Sequence, residues 1–203
     1  MFSQYISNGE ISISKEEWQA IKSEYDKEYI IQQLTNEILA GNINIPMKHI
    51  TEQDARDSFV NLCNYTCNDY FTDNVVSRYD YALPFSGRYI DESNVGNTAS
   101  DYFHQTARYM CDSINAPSPY SVWHSEKFLH SYLSALWSLK ASKIDTVSLR
   151  STLGLRKYIA SQYKPAIAKS IYEKYHSKDV IDFSAGWGDR LCGFAACKNT
   201  ESY

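Results

Sequence analysis

The sequence predicts a mainly α protein that opens on a small β-hairpin and closes on a strand, a glycine turn and a helix. Three observations predict it. Apolar residues recur at helical spacing behind Ser and Thr caps over much of the chain. An Asn8-Gly9 pair separates two alternating segments, and Val180-Ile181-Asp182-Phe183 runs through Gly186 and Gly188 into an Ala-rich stretch from Leu191 to Ala196.

The elements follow in order. Tyr5 to Ile13, broken at Asn8-Gly9, reads as a hairpin over about residues 4–13. Ser14 with Glu17 makes a capping box, and Trp18, Ile21, Tyr25, Ile31, Leu34 and Ile38 continue one amphipathic face to a stop at Gly41, which predicts a single long helix. Ile43 to Ile45 precede Pro46 and are extended. Thr51 with Asp54 opens a helix carrying Ala55, Phe59, Val60 and Leu62. From Tyr65 to Thr98 no period persists, and a long ordered loop with small helical turns is expected.

Thr98 or Ser100 caps the next helix, through Tyr102, Phe103, Ala107 and Met110. Ser118-Pro119 marks a turn. From Ser121 or Ser125 a helix presents Phe128, Leu129, Tyr132, Leu133, Leu136 and Trp137 to a core, closed by Lys140 and Lys143. Ser148 to Leu155 is a short helix, Arg156 to Gln162 its continuation or a new one, and Pro165 stands at the first position of the helix Ala166 to Tyr175. The strand Val180 to Phe183 follows. Glycines at the turn after it permit positive φ and close approach of a ligand to the backbone, and the helix beyond offers free amides.

Composition excludes several classes. At 203 residues and 43% hydrophobic content the chain builds a real core and is no disordered tail. Five Cys without a regular framework, and an N-terminus without a basic segment leading into an apolar one, predict an intracellular, reducing setting. No apolar run has the length of a membrane span, so no membrane partner is expected. A net charge of -4 gives no global sign of nucleic-acid binding, while 17 Tyr and four Trp supply surfaces for cores or for stacking.

Tyr163-Lys164-Pro165-Ala166-Ile167-Ala168-Lys169-Ser170-Ile171-Tyr172, followed by Val180-Ile181-Asp182-Phe183-Ser184-Ala185-Gly186-Trp187-Gly188-Asp189-Arg190, resembles the start of the catalytic domain in S-adenosylmethionine-dependent DNA amino-methyltransferases, particularly phage and large-virus members. The resemblance covers about Gln162 to Ala196. It implies the first strand and helix of a truncated Rossmann-like methyltransferase domain, and a division into a helical N-terminal domain, residues 1–155, and the beginning of the methyltransferase domain, residues 156–203. It also implies S-adenosylmethionine as cofactor of the complete protein, DNA as partner, and a cofactor floor of Lys164, Pro165, Asp182, Ser184, Ala185, Gly186, Trp187 and Gly188.

Within that floor the resemblance puts Lys164 and Pro165 beside the cofactor's methionine end. Asp182 orders the glycine loop or meets the ligand through it, accepting backbone amides or attracting an ammonium group. Trp187 walls the pocket or packs in the core, and Arg190 pairs with an acidic residue or reaches a substrate phosphate. Asp189 reads as a solvated charge at the helix N-terminus. The Asp/Asn-Pro-Pro-Tyr/Phe motif that holds the target amine in this family has no counterpart, since no Pro-Pro occurs in the sequence. Methyl transfer depends on positioning the amine in line with the sulfonium carbon, so this chain is expected to be inactive by itself and to assign no catalytic residue.

Other constellations are weaker. Cys63 and Cys67 with His104 and Cys111 are suitable zinc ligands in kind, but their spacing is unpatterned, and no metal is expected. His124, Glu126 and His130 share a predicted helix without a nucleophile. For nucleic acid the basic residues are Lys140, Lys143, Arg150, Arg156 and Lys157, with Arg190 and, further off, Arg78, Arg88 and Lys127, interleaved with Tyr79, Tyr81, Tyr89 and Tyr158. Two functions are therefore expected from different classes: the N-terminal part of a DNA methyltransferase acting on adenine N6 or cytosine N4, or a noncatalytic DNA-binding or oligomerisation module with a vestigial cofactor turn. A lone parallel-type strand leaves amides unpaired, so it is expected either to dock on the helical domain or to pair with another chain, which makes a homo-oligomer a further candidate assembly.

Overall fold

The computed structural model describes residues 1–66, 93–138 and 141–203 and the short strands 71–72 and 89–90. Cys67, Arg78, Tyr79, Tyr81, Arg88 and Lys140 lie outside the described residues, as does the side chain of Tyr89. In chain order the elements are a 3-10 turn (Ser3–Tyr5), β1 (Ile6–Ser7), β2 (Glu10–Ile13), α1 (Lys15–Glu24), α2 (Lys27–Leu39), α3 (Glu52–Asn64), β3 (Phe71–Thr72), β4 (Tyr89–Ile90), α4 (Asn97–Tyr109), α5 (Pro119–Trp123), α6 (Glu126–Ser138), β5 (Ile144–Asp145), α7 (Thr146–Leu155), α8 (Pro165–Lys174) and α9 (Asp189–Ala195). The chain is mainly helical. It divides into two compact units, Met1–His49 with Thr106–Ser161 and Ile50–Gln105 with Gln162–Tyr203, so residues 50–105 join the C-terminal segment rather than the N-terminal one.

In the first unit the hairpin forms as expected: Asn8 and Gly9 take φ of 52° and 79°, and Ile6 faces Ile11 across the pair. A third strand, β5, extends it, with Ile13 opposite Ile144. Ile11, Ile13 and Ile144 are all buried. The single long helix expected up to Gly41 is two. Tyr25 is extended at φ -122°, and the Asp26 side chain accepts the Tyr29 amide, so a local cap outcompetes the continuing apolar period.

Ser118 caps α5 with Pro119 in its first turn, where a bare turn was expected. Arg156 to Gln162 is not helical: Arg156 closes α7, and Lys157 takes a left-handed φ of 58°. Two buried aromatic tips in this unit reach backbone acceptors. Trp123 Nε1 donates to Ile43 O at 2.9 Å and the Tyr132 hydroxyl to Leu149 O at 2.7 Å, and burial raises the Tyr132 phenol well above its ordinary range.

The second unit is built on a buried lysine. The Thr51–Asp54 capping box starts α3, whose Leu62 is fully buried, and the helix ends against α8. There the Lys169 ammonium, with 2% of its side chain exposed, donates to Leu62 O, Cys63 O and Tyr65 O at 2.8, 2.9 and 2.8 Å, and lies 3.4 Å from a Glu173 carboxylate oxygen. Helix C-termini leave carbonyls without partners, and one ammonium with three donors satisfies three acceptors there.

On its other side α8 meets α9 at Gly193, where a Cβ would come within 2.6 Å of Pro165 O and 2.7 Å of the Ala168 methyl. No other side chain fits that crossing. Between α3 and α4 the described residues contain an antiparallel pairing of Phe71 with Ile90; most of the stretch for which small helical turns are expected lies outside the described residues.

Replacing Lys169 by Met keeps the stem and removes the donors. About 2–4 kcal/mol of the second unit's stability is expected to be lost, read as a lower urea midpoint; an unchanged midpoint would show that the carbonyls do not depend on the ammonium. Gly193→Ala forces α8 and α9 apart and is expected to cost about 1–3 kcal/mol in the same assay.

Candidate cofactor turn and the adjoining groove

Residues 180–183 do not form the expected strand. Residues 180–182 are irregular and Phe183 enters a turn, and the pairing is confined to one isolated parallel bridge just before them, Asp179 with Ser202, supported by Val180 N to Ser202 O at 2.9 Å and Glu201 N to Lys178 O at 2.7 Å. Ile181 and Phe183 stay 81% and 96% exposed. The apolar pattern was legible, but a parallel strand needs neighbours to pair its amides and cover both faces, and the described residues supply only 201–202.

The turn itself forms. Gly188 N donates to Ala185 O at 3.0 Å, Gly186 and Gly188 have φ of 59° and 75°, and α9 starts at Asp189. A Cβ on Gly186 would find only Ser184 O, at 3.7 Å, so the backbone there is open to a ligand.

Asp182 holds the turn. Arg190 donates to it twice, Nε to Oδ2 at 2.8 Å and Nη2 to Oδ1 at 3.0 Å, Ser184 N donates to Oδ1 at 3.0 Å, and the Tyr203 hydroxyl donates to Oδ2. These bonds, the Arg190 pair first, hold the Asp182 carboxyl well below the usual carboxylate range. The same pair raises the Arg190 guanidinium, and burial together with the bond to Asp182 raises the Tyr203 phenol. Arg190 also lies 5.3 Å from the centre of the Tyr163 ring.

Asp189 is not the solvated charge expected from its place at a helix start. It is 2% exposed; its Oδ1 accepts from the Ser100 hydroxyl and from Gln162 Nε2, the latter at 2.8 Å, and Oδ2 has no partner. Gln162 also donates to Ser100 Oγ at 2.6 Å. Beside it, burial first and the Asp189 charge second push the Cys192 thiol up to about 12, which keeps it protonated and unreactive near neutral pH.

Trp187 and Gly188 form one wall of a groove of about 690 Å³ whose other walls come from Ala55 and Phe59 on α3 and from Phe103 and His104 on α4. The groove is largely apolar. His104 lies 6.4 Å from Trp187, ring centre to ring centre, and Phe103 is 73% exposed. Trp187, expected either to wall a pocket or to pack in the core, stands at the groove, half-buried.

Of the expected cofactor residues, the structure brings Lys164 and Pro165, at the start of α8, into one unit with Asp182, Ser184, Ala185, Gly186, Trp187 and Gly188. Among the described residues the basic residues are divided between the two units. Lys143 pairs with Asp145 at 2.7 Å in the loop before β5, Arg150 is half-buried on α7, Arg156 donates to Ser131, and Lys157 is exposed, all in the first unit, while Arg190 is tied to Asp182 in the second. His124 Nδ1 lies 2.8 Å from Tyr120 O and His130 Nε2 2.6 Å from Glu28. Among the described residues no group of three or more His, Cys, Asp or Glu is placed to hold a metal, and no helix is long and apolar enough to cross a membrane.

Sequence reasoning missed Tyr203, Ser100, Gln162 and the aromatic face of α4. Only Gln162 had a local signal, its place immediately before Tyr163-Lys164-Pro165. Comparison of the chain with protein-family models, curated proteins and solved structures gives no significant match.

The depressed Asp182 carboxyl has a consequence for stability against pH. Its stabilisation is complete above the unfolded carboxylate value of about 3.9 and is lost as pH falls through the lower folded value. Asp182→Asn is therefore expected to melt below the parent chain at pH 7, with the gap closing progressively below about pH 4. A gap that stays constant down to pH 2 would mean that the carboxylate charge does not hold the turn.

Proposed function

We propose that this chain carries the amino-terminal part of the cofactor site of an S-adenosylmethionine-dependent methyltransferase acting on an exocyclic amine of DNA. The observation that carries the reading is the close packing of the Lys164-Pro165 helix on the helix that follows the glycine turn, made possible by Gly193. Two segments whose sequences resemble adjacent cofactor motifs are thereby neighbours in space. The parallel bridge flanking α9 is in keeping with the beginning of a Rossmann-like sheet.

The residues fit the methionine end of such a cofactor in part. Backbone around Gly186 is open, and Lys164 and Pro165 stand at the neighbouring helix start. Asp182 does not fit the role of ammonium ligand, because Arg190, Tyr203 and Ser184 already occupy its oxygens. Its work is to order the turn. The bound cofactor would supply an electrophilic methyl group; this chain's residues would bind and orient it. The sequence contains no Pro-Pro-aromatic motif to align the target amine, so methyl transfer is not assigned to these residues alone.

Calorimetric titration with S-adenosylmethionine tests the reading. Saturable binding that Gly186→Val abolishes, with the melting transition retained, is the expected result. Absence of binding both to this chain and to any longer chain containing it would overturn the assignment. The bare Ile181 and Phe183 favour the noncatalytic alternative, in which this edge pairs with another chain; concentration-dependent sedimentation that Phe183→Ser abolishes, without cofactor binding, would select it.

A further inference from the structure

The acidic excess of this protein is unevenly divided. The first unit's sequence has eleven Lys and Arg against ten Asp and Glu, the second's nine against fourteen, so the first unit is the one that tolerates a polyanion. Within it a concavity of about 560 Å³ is lined by Lys27 of α2, by His130, Ser131 and Ser134 of α6, and by Leu155 and Arg156 at the end of α7.

Its chemistry is that of an oxyanion seat. Arg156 is fixed from one side, Nη2 donating to Ser131 O at 3.2 Å and to the Ser131 hydroxyl, with the guanidinium 6.0 Å from the Tyr158 ring centre. A guanidinium has five N–H donors, so further donors remain for a ligand. The Lys27 ammonium lies 5.8 Å from the Trp137 ring centre, held by a contact that leaves its N–H groups available, and Ser134 adds a hydroxyl. Glu28, next to Lys27 on α2, is paired with His130 at 2.6 Å. Lys127, one turn before His130 on α6, and Lys157, next to Arg156, are exposed and add positive charge on the same segments. That added charge suits a chain of phosphates better than a single one.

We infer that Lys27, Ser134 and Arg156 seat a backbone phosphate of a nucleic-acid strand. The inference rests on the nucleic-acid part of the reading above, but it concerns the first unit and is independent of cofactor binding. Phosphate contacts of this kind give affinity without sequence preference and release counterions, so each carries a salt dependence of about 0.7 to 0.9 log units per log unit of salt.

The test is fluorescence anisotropy of the full chain with labelled single-stranded and duplex 20-mers at several salt concentrations. Lys27→Gln and Arg156→Gln are each expected to weaken binding about three- to tenfold for every sequence and to lower the salt slope by about one, with Lys22→Gln, which lies over Trp18 at 5.5 Å, as a control that changes neither. Arg156→Gln risks disturbing the α6–α7 contact, so Lys27→Gln and Ser134→Ala decide the matter if it alters the melting curve. Unchanged affinity and slope in Lys27→Gln, or no salt-dependent binding by the parent chain, overturns the inference. Binding of inorganic phosphate or a mononucleotide as tightly as the 20-mers, with the same sensitivity to Lys27→Gln, overturns the nucleic-acid assignment in favour of a small phosphorylated ligand. S-adenosylmethionine titration is unaffected by either outcome.

Discussion

The second unit depends on the burial of one ammonium. Removing a charged group from water is costly unless it is fully hydrogen-bonded, and Lys169 meets that condition by serving three carbonyls at the end of α3 and approaching Glu173. The geometry is specific: three acceptors, one donor head, and an aliphatic stem threaded through a core of Leu62, Ala166 and Ala196. It fixes α8 against the end of α3. Because Gly193 lets α9 lie directly on α8, the position of the glycine turn follows from the same bond set. A residue four positions beyond the Pro165 helix start therefore controls the place of a turn more than ten residues away.

Buried polar groups in this unit are not used alike. Lys169 spends all three donors, whereas Asp189 keeps one oxygen unpartnered in a dry environment. A carboxylate so placed is tolerated through the Ser100 and Gln162 bonds and through the amides at the start of its own helix. It also raises the neighbouring Cys192 thiol, removing a nucleophile from the groove wall.

Local signals in the sequence were legible where they were self-contained. Ser14, Thr51 and Pro165 begin helices where their chemistry says they should, and Asn8-Gly9 turns a hairpin, because caps and turns are decided within four residues. What failed was decided at longer range or by a competing local cap. The break at Asp26 hides beneath an uninterrupted apolar period. β5 is two residues long, below the length at which alternation can be read, and is defined by its pairing with Ser12 and Ile13, far off in sequence. At the candidate site the glycine turn was legible from Gly186 and Gly188, but its closure was not: Tyr203 reaches Asp182 from 21 positions away, and Ser100 reaches Asp189 from 89.

The way Asp182 is occupied narrows what the turn can do. An acidic residue before a glycine loop can either hold the loop or hold a ligand's cation, and the two uses compete for the same lone pairs. Here a bidentate guanidinium, a phenol and an amide take both oxygens, and charge-assisted bonds of that kind are about twice as strong as neutral ones. A ligand's ammonium would have to displace Arg190, which also lies against the face of Tyr163. The turn is thus ordered by the chain's own atoms before any ligand arrives. Ordering of a binding loop otherwise subtracts from affinity, so under the proposed cofactor reading recognition would rest on the open backbone around Gly186 and on the helix start at Lys164-Pro165, not on the carboxylate.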